Sequence, residues 1–530
     1  MKFFGLEKKE GFLKLETKNY VLRGTIEKTP YGFKLSGAVK GRPGRIEIIR
    51  KEIPEEVLVN NWQSWGVCKV VNARRYTPPP EIPSNWKYTA SIFPELLRES
   101  LQSDYFIAEE GKVYGFLSSR IAHPFFLLDG KELVAYLDYF DAYFEDYVPI
   151  ETFVIVEGLD TFSALRNYAI LVSVENNVKL RDWEPIGWCS WYQYYDKVTW
   201  KDILNNLKIA RDFPYEVFQV DEGYEKSLGD WFEMEKDFPT HSEIVETIKQ
   251  HGFKPGIWLA PFSAEESSKL FASHPDWFVK RESGEHEIAY VWYENTYALD
   301  LTNDEVKEWL FNLFSVLRNM GYEYFKIDFL FAGAIPGVRR KNMTPIQAYR
   351  EGMRIIRRAV GDAYILGCGA PLLPSVGYVD GMRIGPDTAP FWGEEKPDFP
   401  TPPVAAKWAL RNTITRAFLH KKLWFNDPDC LLLREVDTSL LSEERKMYAY
   451  VCGILDNVVI QSDDLRLVGK EGRAILLETL LMKGGKFKIE NLFSSSPEYG
   501  IVCQHKLFGT MKMYVNLEKR EYKLERHVKL

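Results

Sequence analysis

The chain has 530 residues, room for two to four domains at roughly one per 150 residues, and its 45% hydrophobic and 27% charged residues are ordinary for a globular protein. A formal charge of −7 with no dense Lys/Arg run argues against nucleic acid, and no apolar stretch nears the ~18–20 residues that span a bilayer. The six cysteines form no Cys-x-x-Cys pair and the eight histidines no His-Glu-x-x-His, so neither a disulfide scaffold nor a metal site declares itself.

The first residues turn charged too early for a signal peptide, and a cytoplasmic protein without metal or organic cofactor is expected. Aromatic residues make up 15%, with 15 Trp, 29 Tyr and 33 Phe. A core absorbs many of these rings, but flat apolar faces also suit sugars.

Up to about residue 160 the pattern is of short strands and turns. Leu127–Val134 reads as an Asp-Gly hairpin and Phe106–Val113 as a second, while Thr77-Pro-Pro-Pro is a rigid segment that cannot sit inside a sheet. An antiparallel β domain follows, bridged onward by a helical stretch near Phe162–Ala169. From about residue 183, eight apolar runs alternate with amphipathic helices. They begin at Ile186, Val217, Pro255, Tyr324, Ala363, Gly381, Leu423 and Asn457. The helix before the fourth run places Val306, Trp309, Leu310, Leu313, Phe314 and Leu317 at helical spacing. Capping boxes at Thr240/Glu243, Thr302/Glu305 and Thr344/Gln347 mark helix starts. Eight βα units predict a (β/α)8 barrel closed by a helix over Gly472–Met482. Alternation returns at Phe487, Tyr499 and Met511, predicting a small C-terminal antiparallel β domain. The expected domains are 1–175, 176–484 and 485–530.

A barrel of this kind carries its chemistry at the C-terminal ends of its strands. Residues two apart share a strand face, so Lys326 pairs with Asp328, Gln219 with Asp221, and Gly256 with Trp258. By the same parity Arg383, Gly385 and Asp387 line up. The predicted mouth holds Asp221, Glu222, Lys326, Asp328, Arg383 and Asp387, with Trp191, Trp258 and Cys368 among them. Charges are costly in a barrel unless paired or used. Carboxylates, cations and Trp rings together suit a glycosidase. A Schiff-base aldolase using Lys326 is the competing reading, disfavoured because an anionic neighbour on the same face raises the lysine's affinity for its proton.

Eight segments carry a family resemblance: Asn61-Trp-Gln-Ser-Trp-Gly, Trp188-Cys-Ser-Trp-Tyr, Phe218-Gln-Val-Asp-Glu-Gly, Gly256-Ile-Trp-Leu-Ala-Pro, Leu299-Asp-Leu-Thr-Asn, Phe325-Lys-Ile-Asp-Phe, Gly367-Cys-Gly-Ala-Pro and Arg383-Ile-Gly-Pro-Asp. In order and spacing they resemble the prokaryotic α-galactosidases of glycoside hydrolase family 36, the melibiase-like enzymes. The resemblance implies an N-terminal β-supersandwich and hydrolysis of terminal α-D-galactosyl residues with retained configuration. It makes Asp328 the nucleophile and Asp387 the acid/base. Retention asks for roughly 5–5.5 Å between their carboxyl groups. Lys326 is expected to keep Asp328 ionised, and burial or the charge of Asp328 to keep Asp387 protonated.

The resemblance also places Asp221 and Lys326 at the 3-, 4- and 6-hydroxyls, and Arg383 and Cys368 by the 2-hydroxyl, with Gly385 nearby. Trp65, Trp191 and Trp258 would wall the pocket. This chain has Asp221-Glu-Gly-Tyr where the family commonly has Asp-Asp-Gly-Trp, so the hydroxyl that Glu222 reaches stays open. Galactosyltransferases of the raffinose and stachyose type and α-N-acetylgalactosaminidases share the scaffold and remain alternatives. The loop after Asp387, with Pro390, Phe391, Trp392, Pro397, Pro400, Pro402 and Pro403, is expected to shape the leaving-group site.

Overall fold

The computed structural model describes residues 2–4, 10–75, 84–393, 401–493 and 498–527. Thr77-Pro-Pro-Pro, Pro397 and Pro400 lie outside them. Ahead of the barrel stand two antiparallel sheets, of five and nine strands. Both expected hairpins are present. His123–Leu128 pairs with Glu132–Asp138 around Gly130, and Phe106–Glu109 pairs with Lys112–Phe116 around Gly111. Both glycines adopt positive φ, 87° and 70°, which a tight hairpin turn requires.

The connecting helix is longer than expected, Thr161–Glu175. Asp160 caps it by accepting from the Ser163 N–H, and Phe162, Leu165, Tyr168, Ala169 and Val172 form its buried stripe. Its Tyr168 hydroxyl donates to the Phe116 carbonyl at 2.6 Å, locking helix to sheet.

All eight predicted barrel runs are strands: β1 Ile186–Cys189, β2 Val217–Val220, β3 Lys254–Leu259, β4 Tyr324–Ile327, β5 Tyr364–Gly367, β6 Gly381–Arg383, β7 Phe425–Asp427 and β8 Val459–Gln461. They lie parallel in the order β7-β6-β5-β4-β3-β2-β1-β8. The seam between β7 and β8 is closed by single bonds, Val458 N–H to Asn426 C=O at 3.0 Å and Leu431 N–H to Ile460 C=O at 2.7 Å.

Helix Asp304–Met320 buries Val306, Leu310, Leu313, Phe314 and Leu317 of the predicted stripe, with Trp309 only half-buried. Its cap differs from prediction. Asn303 accepts from the Glu305 N–H, while the Thr302 hydroxyl is taken by Asp300 at 2.7 Å, so the Thr302/Glu305 box does not form. The boxes at Thr240 and Thr344 do form. A three-stranded antiparallel sheet, Ser263–Glu265, Ile288–Val291 and Asn295–Ala298, is inserted after β3 and was not anticipated.

The C-terminal sheet has four strands rather than three. The fourth, Glu521–His527, is charged and largely uncovered. That composition protects a sheet edge and leaves only Tyr522 and Leu524 of the apolar alternation that announces a strand. The Trp392 indole donates to the Leu517 carbonyl of this region at 3.1 Å, and the ring is only 3% exposed. Trp392 therefore packs against the C-terminal domain, and the leaving-group role expected of it is withdrawn.

Buried polar contacts hang the N-terminal domain on the barrel. Arg416 donates to the carbonyls of Ser64 and Ile384 at 2.7 and 2.9 Å and to Asn60 Oδ1 at 3.0 Å. Asn412 Nδ2 donates to the Gly66 carbonyl at 2.9 Å. The segment around Trp65 is thus fixed from the barrel side.

Below the barrel, Asp456 and Glu184 are neutralised by Lys421 and Lys483, with Lys483 Nζ 3.0 Å from Glu184. Burial works against the Asp456 charge, but His420, Lys483 and Lys421 outweigh it and hold the carboxyl below its ordinary range. A carboxyl depressed on folding contributes stability above its unfolded pKa of about 3.9, and that contribution is lost as pH falls through the folded value. Asp456→Asn is expected to lose about 1–3 kcal/mol at pH 7. Its unfolding midpoint should converge on that of wild type in acid; a gap independent of pH would count against this assignment.

Candidate active site

The strand-end parity holds where the strands deliver it. Gln219 ends up beside Asp221, one residue past β2, and Lys326 on β4 is followed by Asp328 one residue past that strand. The Lys326 ammonium lies 2.9 Å from Asp221 Oδ2, with both side chains buried. The same oxygen accepts from Gln219 Nε2 and from the Cys189 thiol at 3.2 Å. Burial opposes the charge on Lys326, but Asp221 in contact and Cys189, Cys368 and Asp328 nearby prevail, holding the ammonium well above its usual range. A lysine so held is a poor Schiff-base nucleophile.

Asp328 is buried and receives two bonds. Trp258 Nε1 donates to Oδ2 at 3.1 Å, and the Phe329 N–H donates to Oδ1 at 2.8 Å. Burial pushes its carboxyl upward, Lys326 opposes this, and Asp387 adds to it. Lys326 is therefore a neighbouring charge to Asp328, and its direct partner is Asp221. Phe329 takes φ 49°, a left-handed conformation costly for a bulky residue and found where the surroundings over-determine it. Tyr290 stacks on the Phe329 ring at 4.4 Å, and Trp65 meets it edge-on at 5.1 Å.

Trp65 enters from the N-terminal domain. Its indole N–H points at Cys368 Sγ, 3.3 Å away. A Cβ on Gly369 would stand 2.9 Å from the Trp65 ring, and Gly369 has φ +51°, so this glycine makes the approach possible. Arg383 Nη1 reaches the same sulfur at 3.7 Å, and Nη2 donates to Asp387 Oδ1 at 2.6 Å. Trp65, Cys368, Arg383 and Asp387 thus form one chain of contacts beside Asp328.

Asp387 is the more open of the two candidate catalytic acids, its side chain 31% exposed. Burial or the charge of Asp328 was expected to keep its proton; of the two acids it is Asp328 that is the more buried. Gly385 also departs from expectation. The strand stops at Arg383, the alternation does not continue, and a Cβ on Gly385 would face Asn412 and Ala409 of helix Ala406–Thr415. The absence of a side chain at Gly385 thus permits close packing of this helix.

Trp191 opens the short helix after β1 and is 9% exposed, its ring edge-on to Tyr195 and tilted against Trp292. Glu222 is buried and accepts from Trp292 Nε1 at 2.7 Å. Burial pushes its carboxyl up to about 8, the Trp292 bond working the other way and Asp221 adding to the rise.

Three residues of the site escaped the sequence reading: Tyr192, Trp292 and Asp429. Trp292 sits between the second and third strands of the inserted sheet, which no periodicity announced. Asp429 could have been found, because it follows β7 by two residues, on the side where a barrel of this kind carries its chemistry.

Two family models match the chain, "Alpha-galactosidase, N-terminal" over residues 25–157 and "Melibiase" over residues 154–352. Among solved structures, the α-galactosidase TtGalA of Thermus thermophilus, in complex with p-nitrophenyl α-D-galactopyranoside, is 28% identical. That match covers 93% of this chain and 98% of that one with a TM-score of 0.75. The bifunctional alpha-galactosidase/sucrose kinase AgaSK of Mediterraneibacter gnavus is 27% identical over 182 residues, 33% of this chain and 19% of that protein. The alpha-xylosidase XylQ of Lactiplantibacillus pentosus is 31% identical over 121 residues, 22% of this chain and 16% of that protein. The alignments with these two curated relatives thus span less than a fifth of the relatives' own length. Two contiguous family matches, a barrel whose strand ends converge on paired acids, and a structural likeness over nearly the whole chain agree: the chain belongs to the α-galactosidases of glycoside hydrolase family 36, the melibiase family.

Proposed function

We propose that this protein is a retaining exo-α-galactosidase that removes terminal α-D-galactosyl residues from oligosaccharides of the melibiose and raffinose type. The observation that carries the reading is the buried Asp328 beside the more open, Arg383-bonded Asp387, at the mouth of one barrel. Asp328 attacks the anomeric carbon while Asp387 protonates the departing oxygen, leaving a β-galactosyl ester on Asp328. Having given its proton to the leaving oxygen, Asp387 is a carboxylate; esterification of Asp328 removes the negative charge facing it, so Asp387 stays ionised and takes a proton from the incoming water. Attack by that water from the opposite face releases α-galactose, so configuration is retained.

Asp221 and Lys326, a rigid buried ion pair, hold the 3- and 4-hydroxyls. Arg383 and Cys368 lie by the 2-hydroxyl, which leaves little room for an N-acetyl group there. Trp65, Trp191 and Trp258 wall the ring, and Glu222 with Trp292 closes the side beyond Asp221. The chain acts in the cytoplasm without metal or organic cofactor. Its working units are an N-terminal domain of about 1–175, a barrel of 176–484 and a C-terminal domain of 485–530.

The test is hydrolysis of p-nitrophenyl α-D-galactopyranoside and raffinose, followed by proton NMR. Early release of α-galactose is the expected result. β-Galactose appearing first would overturn retention. Preference for the corresponding N-acetylgalactosaminide would favour that alternative, and capture of galactose by added sucrose in excess of hydrolysis would favour a transferase.

A further inference from the structure

Asp429 lies just past β7 and has no part in the reaction outlined above. Its φ of 82° belongs to the left-handed region, which a non-glycine residue keeps only where its surroundings demand it. Its buried Oδ2 accepts from Arg383 Nη2 at 2.5 Å, from the Thr388 N–H at 2.8 Å and from the Tyr192 hydroxyl. The same Nη2 donates to Asp387 Oδ1 at 2.6 Å and to the Tyr192 oxygen at 3.0 Å. One guanidinium nitrogen therefore stands between two carboxylates.

We propose that Asp429 is a positioning residue that divides the pull of Arg383, and thereby sets how firmly Asp387 keeps the proton it delivers to the leaving group. The proposal rests on the reading of Asp387 as the acid/base. With Asp429 in place, Arg383 Nη2 is shared between two carboxyl groups and its pull on Asp387 is divided. Without it, the whole guanidinium charge faces Asp387 and favours its carboxylate form. Burial pushes Asp429 itself up to about 7, with Arg383 pulling against that rise.

Other groups also face the pair. Asp387 is felt by Asp328 and Cys368 from β4 and β5, by Tyr192 and Tyr195 from the segment after β1, and by Asp427 from β7. Asp429 is felt by Tyr192, Tyr195, Asp427 and Lys326, and by Cys430 beside it and Tyr448 and Cys452 from helix Ser442–Ile454. Among them Arg383 is the cation in hydrogen-bond contact with both carboxylates.

The experiment is the pH profile of kcat/KM for Asp429→Asn on p-nitrophenyl α-galactoside and on raffinose. The alkaline limb is expected to move down by about one pH unit. Raffinose, whose leaving group needs the proton, should lose about tenfold more activity at pH 7 than the aryl substrate. An unmoved limb with equal losses on both substrates would overturn the proposal.

Tyr192→Phe provides the second arm should Asp429→Asn fail to fold. It strips a donor from Asp429, which then leans harder on Arg383, so its alkaline limb should move up; a fixed or lowered limb overturns the proposal. Asp387→Ala with azide distinguishes the two levels of the argument. Formation of α-galactosyl azide supports the acid/base reading, and its absence sinks that reading whatever the limbs do.

Discussion

Asp328→Gly is expected to lose hydrolysis of p-nitrophenyl α-galactoside by roughly 10³-fold or more, equivalent to about 4 kcal/mol of transition-state stabilisation. Added azide should restore turnover and yield β-galactosyl azide. The logic is steric and electronic together. Asp328 is buried at the end of β4, held by the Trp258 indole and the Phe329 amide, and glycine leaves room for a small anion where the carboxylate stood. Azide needs little help from Asp387 because p-nitrophenolate is a good leaving group. A folded variant that azide does not rescue would remove Asp328 from the nucleophile's role. An α-azide product would show attack from the wrong face.

The second large effect concerns the ion pair beneath the sugar. Lys326→Met strands Asp221 as a buried carboxylate with its cation gone, and the expected cost to stability is about 3–5 kcal/mol. Gln219, Cys189 and the Glu222 amide still donate to Asp221, which puts the loss toward the lower end of that range. Lys326→Met/Asp221→Asn removes the uncompensated charge. Its unfolding midpoint should return most of the way to that of wild type, while activity stays down by roughly 10³-fold because both sugar-holding groups are gone. Denaturation midpoints and kcat/KM for the four members of this cycle separate the two contributions. Recovery of activity together with stability would mean the pair only holds the barrel together.

These expectations rest on side chains that differ in how far the sequence alone announces them. Asp221, Lys326 and Asp328 are legible because a strand alternates strictly. Once β2 and β4 are recognised by their apolar runs, parity turns these residues inward and the barrel's topology puts them at the mouth. Arg383 and Asp387 are named by their motif, and the fold brings them into hydrogen-bond contact. Gly385 lies two residues past β6, farther beyond its strand than Asp221 and Asp328 lie beyond theirs, and there alternation no longer fixes which way a residue faces. Trp392 misleads because a proline-rich loop looks alike whether it faces substrate or a neighbouring domain. The Thr302 box fails because Asn303 offers an equally good cap one residue later and Asp300 takes up the Thr302 hydroxyl.

An acidic, aromatic-rich composition without membrane or metal signals bounded the class of protein. Periodicity then determined the eight barrel strands, their order and the acids at their ends, because those follow from local repeats of two and of about 3.6 residues. Only the tertiary structure decided partnership: that Lys326 bonds Asp221 while Asp328 takes the Trp258 indole, that burial falls on Asp328 and exposure on Asp387, and that one nitrogen of Arg383 serves both Asp387 and Asp429. Such pairings join residues far apart in sequence, as Trp65 and Cys368 are at 303 positions. They depend on where the barrel closes and how the N-terminal domain sits on it, and no local repeat in the sequence carries that information.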